Sequence, residues 1–345
     1  MPFAKHRILY PSEWVPLPLL FLKKYRSESG LKPWSSKGFN IEPFKYWRIP
    51  LKNAAFQWSR LPVKYMKEKA DLVHAHFLFP DGLLALQLWE ASRTPYIITL
   101  RSSGLQLMKH CRPSSSTYQL GLEALKNAAA VTVLNHAGKI FLEEVGIESI
   151  HLIPHGLANS DYISTSSIEE KKHRPEICIS TIGNQLVTKN IDWVVDYVRK
   201  SPIALDLDVI GPVDIGHKDL DVRHFGTKIQ FHGRISRDKV LELLRKSDIF
   251  ALPSSRESFG LSYLEAAANY NAIIGFKGQG PIGIFDQEEM MFPADRSMFK
   301  QCLEKVINDE KLRMAMAQKA YSKAQKLTWN KITEMYENLY KEALL

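Results

Sequence analysis

Cysteine is scarce and poorly placed for pairing. The three in the chain, Cys111, Cys178 and Cys302, lie far apart and form no Cys-x-x-Cys pair, which argues against a disulfide framework and against a thiolate zinc site. Long apolar runs are missing as well: the longest, Val15 to Leu22, is broken by Pro16 and Pro18 and falls far short of the roughly 18 residues a membrane-spanning helix needs. The opening Met1-Pro-Phe-Ala-Lys-His-Arg does not lead into the apolar core and cleavage site of a secretion signal. A cytoplasmic protein is therefore expected. Internal repeats and low-complexity tracts are absent too. Acidic residues are few at the start, where residues 1–70 hold fourteen Lys and Arg against four Glu, a surplus of +10 beside +9 for the whole chain, so that the remainder is nearly neutral. Four of the seven tryptophans, Trp14, Trp34, Trp47 and Trp58, share that segment. Basic plus aromatic fits a solvated face over an ordinary core. It also fits a surface resting on anionic lipid headgroups, which gives an expectation of peripheral association with the inner membrane face. No helix-turn-helix, zinc-finger or single-strand-binding signature supports nucleic acid as a partner.

What is present is the balance of a globular protein: 345 residues, 45% hydrophobic and 24% charged, enough for two domains with their own cores. Strand-then-helix alternation begins at Ala70-Asp-Leu-Val-His-Ala-His76 and continues through Tyr96 to Leu100, the small polar loop Arg101-Ser-Ser-Gly104, and Ala130 to Leu134. A short strand Ile150 to Ile153 and the turn Pro154-His-Gly156 follow, then a polar stretch over 158–175 that reads as a linker. The alternation restarts at Glu176 to Ile182, the loop Gly183 to Lys189 and a helix from Ile191. Later strands are expected at Leu205 to Ile210, Ile229 to Phe231, Ile249 to Leu252 and Ala272 to Phe276, before a helical tail. Such a pattern means α/β with doubly wound sheets. The division expected is 1–157, linker 158–175, 176–328, and a helix over 329–345 packing back on the first domain.

The most informative stretch is Pro253-Ser-Ser-Arg-Glu257-Ser-Phe259-Gly260-Leu-Ser-Tyr-Leu-Glu265. It follows a strand of buried type, so it lies at a carboxyl end, where open α/β sheets bind ligands. Glu257 would project from the loop, and Gly260 would let the first turn of a helix starting near Phe259 approach a ligand, its amides suiting a diphosphate. Glu265, two turns into that helix, could accept hydrogen bonds from a diol such as a ribose. From the residues alone, a helix-capping Glu257 and a merely solvated Glu265 stand as alternatives.

The Glu-x7-Glu spacing, with Ser-Phe-Gly after the first Glu and Glu-Ala-Ala at the second, resembles the family-4 retaining glycosyltransferases of GT-B fold. Asp71-Leu-Val-His-Ala-His76 is similar to that family's Asp-x-x-His-x-His segment, Ile153-Pro-His-Gly156 to its Pro-Asn-Gly turn, and Gly183-Asn-Gln-Leu-Val-Thr-Lys189-Asn to its Gly-Arg-Leu loop ending in Lys-Gly or Lys-Asn. The resemblance covers residues 70–345 and rests on landmarks in the right order. It implies two Rossmann-like domains facing each other across a cleft. It also implies retaining transfer from a nucleoside-diphosphate sugar to a carbohydrate or lipid-linked acceptor, in cell-envelope or exopolysaccharide synthesis. Lys189 would neutralise the donor diphosphate beside Gly183, Glu257 would contact the donor sugar, Glu265 would hold the ribose, and the backbone near Ile235 would border the base. Catalytic positions carried over are Glu257, Arg101 and His76, without metal or cofactor. Two departures stand out: Asn184 replaces the family's usual Arg diphosphate partner, and Arg101 stands where His is common, so that Arg101 could serve the phosphate instead. A binding or regulatory subunit of the same fold and an NAD-dependent enzyme are the rival readings.

The resemblance also exposes a gap. The family opens with a central strand and a Gly-rich turn, whereas residues 1–70 offer only Arg7 to Tyr10 and Asn40 to Leu51 as strands, with Gly30 and Gly38 as the only glycines. The first lobe is expected to lack its first strand, supplied by roughly 30 to 40 residues upstream, about one β-α unit, or lost in a degenerate copy. Other patterns carry less. Gly278-Gln-Gly280-Pro-Ile-Gly283 comes too late for a dinucleotide fingerprint, Asp206 and Asp208 sit inside a strand, and His74 and His76 lack partners for a tetrahedral site.

Overall fold

The computed structural model describes residues 8–14, 34–36, 39–47, 70–172, 176–183, 186–212, 226–257, 259–278 and 280–345. The chain divides into two compact units, one of residues 1–133, 138–151 and 338–345, the other of 134–137 and 152–337.

In the first unit, β4 (Val73–Ala75), β5 (Tyr96–Leu100), β6 (Ala130–Val133) and β7 (Ile150–Leu152) form a sheet in sequential order. The β4-β5 and β5-β6 pairs are parallel, and β5 is buried along its whole length. That burial explains its near-continuous apolar run. Tyr96 satisfies its hydroxyl by donating to the Ala124 carbonyl at 2.7 Å. A second sheet joins β1 (Ile8–Trp14), β2 (Trp34–Ser36) and β3 (Phe39–Trp47) in the order β1-β3-β2. Thus the two strand candidates of the N-terminal segment pair with each other, parallel, Ile8 opposite Ile41 and Trp14 opposite Trp47. Among the described residues, β4 has β5 as its one strand neighbour.

The second unit holds β8 (Cys178–Ile182), β9 (Asp206–Ile210), β10 (Lys228–Gly233), β11 (Ile249–Ala251), β12 (Ala272–Ile274) and β13 (Met290–Met291). Its six strands run in the order β10-β9-β8-β11-β12-β13, all pairs parallel. Numbered within the unit this is 3-2-1-4-5-6, so the chain reverses its winding between β8 and β11. Side-chain alternation confirms the two covered faces: Ile249, Ala251, Ala272 and Ile274 enter one core with Ile191, Val194 and Phe299, while Phe250, Leu252 and Ile273 enter another with Tyr263, Leu264 and Ala320. Successive strand residues point to opposite faces, and here both faces are buried. The chain thus has two parallel-sheet Rossmann-like domains, as expected.

Two local expectations change. The segment Arg101-Ser-Ser-Gly104 is not a loop, since a helix spans Ser102–His110. Gly104 serves packing there, its Cα facing Leu78 and Leu100 where a Cβ would be tight. The polar stretch over 158–175 is largely structured, with a short 3-10 turn at Asn159–Asp161 and a helix at Thr165–Lys172. Ile163 and Ile168 pack there against Tyr270 and Ala317, and the Ile163 amide donates to the Ala268 carbonyl at 3.1 Å. Two apolar side chains among many polar ones suffice to dock it. The tail consists of helices Arg296–Asn308, Glu310–Ala324 and Trp329–Ala343, the first two capped by Asp295 and Asp309. No helix among the described residues is long and apolar enough to cross a membrane.

Candidate functional site

The winding reverses between β8 and β11, and ligands of such sheets sit at the carboxyl ends of the strands beside that switch. Glycines close the ends of three neighbouring strands there. The Gly183 amide donates to the Ile210 carbonyl at 2.9 Å, and the Gly211 amide to the Gly233 carbonyl at 2.8 Å. Gly211 has φ +111°, and a Cβ on it would collide with the Gly183 carbonyl oxygen. Gly183 itself has no room for a Cβ beside Ile191 and Lys189. Only glycine fits both requirements at Gly211.

Lys189 ends the single turn Leu186–Lys189, and the next residue, Asn190, adopts a left-handed conformation at φ +49°. From there the Asn190 side chain donates to the Pro253 carbonyl at 2.7 Å. The Thr188 carbonyl accepts from the Ser255 amide at 2.8 Å and from the Ser255 hydroxyl at 3.1 Å. These bonds stitch the loop after β8 to the loop after β11 and bring Lys189 onto Glu257 as a hydrogen-bonded ion pair. Asn184 lies outside the described residues.

Beyond Glu257 the chain turns through Phe259 and Gly260 into the helix Leu261–Ala268. Gly260 has φ +77°, and a Cβ on it would strike the Tyr263 ring. That ring is buried, its hydroxyl donating to the Leu252 carbonyl at 2.6 Å, so strand end and helix start are locked together. Phe259 is buried and meets the edge of His155, ring centroids 5.1 Å apart. His155 of the Pro-His-Gly turn therefore packs on Phe259, a neighbourhood that spacing in sequence does not reveal. The helix starts two residues later than expected because Gly260 is left-handed, and Glu265 lies little more than one turn in.

Glu265 is already engaged. Its Oε1 accepts from Arg237 Nε at 3.2 Å and from Nη2 at 2.9 Å, while Arg237 forks onto Asp161 at 2.9 and 3.0 Å. Burial pushes the Glu265 pKa up, and Arg237 opposes it. Nothing local in the sequence marks Arg237 or Asp161: one looks like a helix-start surface residue, the other one of many polar residues in an apparent linker. Ile235, half-buried, lies two residues before Arg237.

His76 and Arg101 belong to the first unit, after β4 and β5. His74 bridges Thr99 Oγ1 at 2.7 Å and the Tyr340 hydroxyl at 2.6 Å. Burial, then His76 and Arg101, lower its pKa to about 3, so it is a neutral structural bridge. His76 keeps an exposed edge and stacks at a tilt on His74, centroids 4.4 Å apart. Surrounding protein and then Arg101 lower its pKa too. The Arg101 guanidinium lies over the Phe77 ring at 5.0 Å, and its buried Nε has no hydrogen-bond partner. Asp81, not singled out from sequence, joins them; burial raises its pKa to about 6.

The remaining patterns are used structurally. Asp208 accepts from His232 Nε2 at 2.6 Å. Among the described residues, no group of three or more His, Cys, Asp or Glu is placed to hold a metal ion. Gly283 of the late glycine loop has φ +82° and lies against the His136 ring.

Two family descriptions match this chain: Glycosyl transferases group 1 over residues 166–323 and Glycosyltransferase Family 4 over residues 25–159. An uncharacterized glycosyltransferase of Methanocaldococcus jannaschii is 22% identical over 295 residues, 80% of this chain and 76% of that protein. A Bacillus subtilis glycosyltransferase named for teichuronic acid biosynthesis is 21% identical over 283 residues, 76% of this chain and 69% of that protein. Among solved structures, Anabaena HepE in complex with UDP has a TM-score of 0.68 at 14% identity, over 97% of this chain and 100% of that one. Likeness at that identity shows the fold alone.

Proposed function

The chain belongs to the glycosyltransferases described as group 1 and Family 4, of GT-B fold, and on that premise we propose that it is a retaining enzyme. It moves a sugar from a nucleoside-diphosphate sugar to a carbohydrate or lipid-linked acceptor, in cell-envelope or exopolysaccharide synthesis. The observation that carries this reading is the Lys189–Glu257 pair at the crossover between β8 and β11. A fixed cation and a fixed carboxylate side by side suit the two halves of a sugar nucleotide. The ammonium of Lys189, a compact point charge, faces the diphosphate, and the Glu257 carboxylate accepts hydrogen bonds from the donor sugar's hydroxyls. The amides of the first turn after Gly260 add partial positive charge for the phosphates. Glu265 takes the ribose, and the backbone at Ile235 borders the base. As the diphosphate leaves and the acceptor hydroxyl attacks on the same face, the protein's contribution is orientation and stabilisation of the developing charge.

In this reading Lys189, Gly183, Asn184, Phe259 and Gly260 serve the donor, catalytic roles are assigned to Glu257 in the second unit and to His76 and Arg101 in the first, and neither metal nor cofactor is required. The UDP bound by HepE and the teichuronic acid naming of the Bacillus relative support the donor class and the setting. The test is a panel of nucleoside-diphosphate sugars offered with EDTA present, products detected by mass spectrometry and their anomeric configuration read by proton NMR. Donor consumption with retained anomeric configuration supports the proposal. Turnover that needs added manganese contradicts the metal-independent part, and stabilisation by NAD alone contradicts the whole.

A further inference from the structure

The contacts around Glu265 extend beyond the pair of carboxylates read from the sequence. Arg237, first residue of the helix Arg237–Lys246, is half exposed, yet its guanidinium is fixed at both ends. One end forks onto Asp161, whose buried carboxylate also accepts the Ala158 amide at 2.9 Å. The other end meets Glu265 Oε1 twice. Asn269 closes the ring from behind, its Nδ2 donating to the Asp161 carbonyl at 3.0 Å and to the Glu265 carbonyl at 2.8 Å.

An ordinary surface ion pair holds its partners loosely and contributes little. This arrangement differs, because the forked geometry fixes direction as well as distance and both carboxylates are largely withdrawn from water. It also divides the work of the Glu265 carboxylate. Each carboxylate oxygen has about two acceptor sites, so with Oε1 occupied by two donors from Arg237, a ligand carrying two hydroxyls is directed to Oε2. An ionised carboxylate is required, since a protonated one presents a donor and loses acceptor capacity.

We propose that Arg237 is a positioning residue for the ribose of the sugar-nucleotide donor: braced by Asp161, it fixes the orientation and charge of Glu265 so that Oε2 accepts the 2′- and 3′-hydroxyls. This rests on the donor assignment made above. Burial alone would drive Glu265 toward its neutral form, and Arg237 is the cation that opposes this, with Asp161 acting in the other direction as a neighbouring negative charge.

The test is calorimetric titration of the full chain with uridine and guanosine diphosphates and their 2′,3′-dideoxy counterparts, on wild type, Arg237→Gln and Arg237→Lys. Hydrogen bonds to a charged partner contribute about 1.5–3 kcal/mol, so wild type should prefer the ribose form of its nucleotide by roughly tenfold or more. Arg237→Gln should bring that preference near parity while leaving affinity for the dideoxy form nearly unchanged. Arg237→Lys, which keeps the charge and loses the fork, should lose most of it too. Equal weakening of both ligands overturns the proposal, because a merely structural residue would act that way. A full preference in both variants overturns it as well, leaving the donor assignment standing. Failure of adenosine and thymidine diphosphates as well as these two to bind wild type removes both.

Discussion

Replacing Glu257 by Gln separates two roles that the ion pair combines. The side chains of Lys189 and Glu257 are 19% and 11% exposed, so neither is at the surface and neither is fully dry. Breaking a fully buried pair costs about 3–5 kcal/mol because a charge is left uncompensated, while a surface pair is worth about 0–1 kcal/mol. Intermediate exposure places Glu257→Gln at about 1–3 kcal/mol of lost stability. For a unit of this size that is a fall in Tm of about 3–10 °C. Lys189 cannot easily swing away, since the bonds from Asn190 to Pro253 and from Ser255 to Thr188 hold the loop that carries it. In the double variant Lys189→Met/Glu257→Gln no charge is stranded, and stability should return to within about 1 kcal/mol of wild type. Transfer should not return: removal of a group that stabilises developing charge costs roughly 10²–10³ in rate, and both variants should show at least that loss. Urea unfolding and donor-turnover assays on the single and double variants check this. A Glu257→Gln protein as stable as wild type would refute the buried-pair reasoning, and one with undiminished transfer would refute the catalytic assignment.

Gly260→Ala should destabilise the protein by about 1 kcal/mol or more through its left-handed backbone, with the Tyr263 clash added. It should also weaken nucleoside-diphosphate binding by displacing the first helical turn. Unchanged urea midpoint and affinity would show that turn to be tolerant. His74, with its pKa lowered to about 3 from 6.5, binds a proton in the unfolded chain before it does so in the folded one. Its contribution is therefore complete above pH 6.5 and is lost as pH falls from 6.5 toward 3. In His74→Asn the decline of urea midpoints between about pH 7 and about pH 5 should be shallower than in wild type; identical slopes would contradict the neutral bridge. Residues 1–70, with fourteen basic and four acidic side chains, should bind anionic vesicles weakly and release them as salt rises, because screening shortens the reach of such charges. Binding indifferent to salt in a sedimentation assay would contradict an electrostatic contact.

Strands were legible wherever burial on both faces left a continuous apolar run, as in Tyr96–Leu100 and Ile249–Ala251. Strand order was not, because which strand lies beside β8 is decided by packing between distant segments. The same limit applies to the site. Lys189 and Glu257 were each recognisable from their loops, yet 68 residues separate them, and only the switch in winding at β8 and β11 brings them together. Arg237 and Asp161, 76 residues apart, carried no local signal at all. Where local reading failed, tertiary packing had overridden composition: Ser102 to Gly104 look like a turn but open a helix, because Gly104 must sit tightly against Leu78 and Leu100. The shift of the helix start to Leu261 follows from one left-handed glycine, which sequence permits but does not demand.

The second unit is proposed to hold a nucleoside diphosphate at Lys189. Calorimetric titration of wild type and Lys189→Met with uridine, guanosine, adenosine and thymidine diphosphates tests it most directly. Saturable binding of at least one of them to wild type is expected, weakened tenfold or more in the variant, about 1.4 kcal/mol. No binding by wild type, or equal affinity in both proteins, would contradict it.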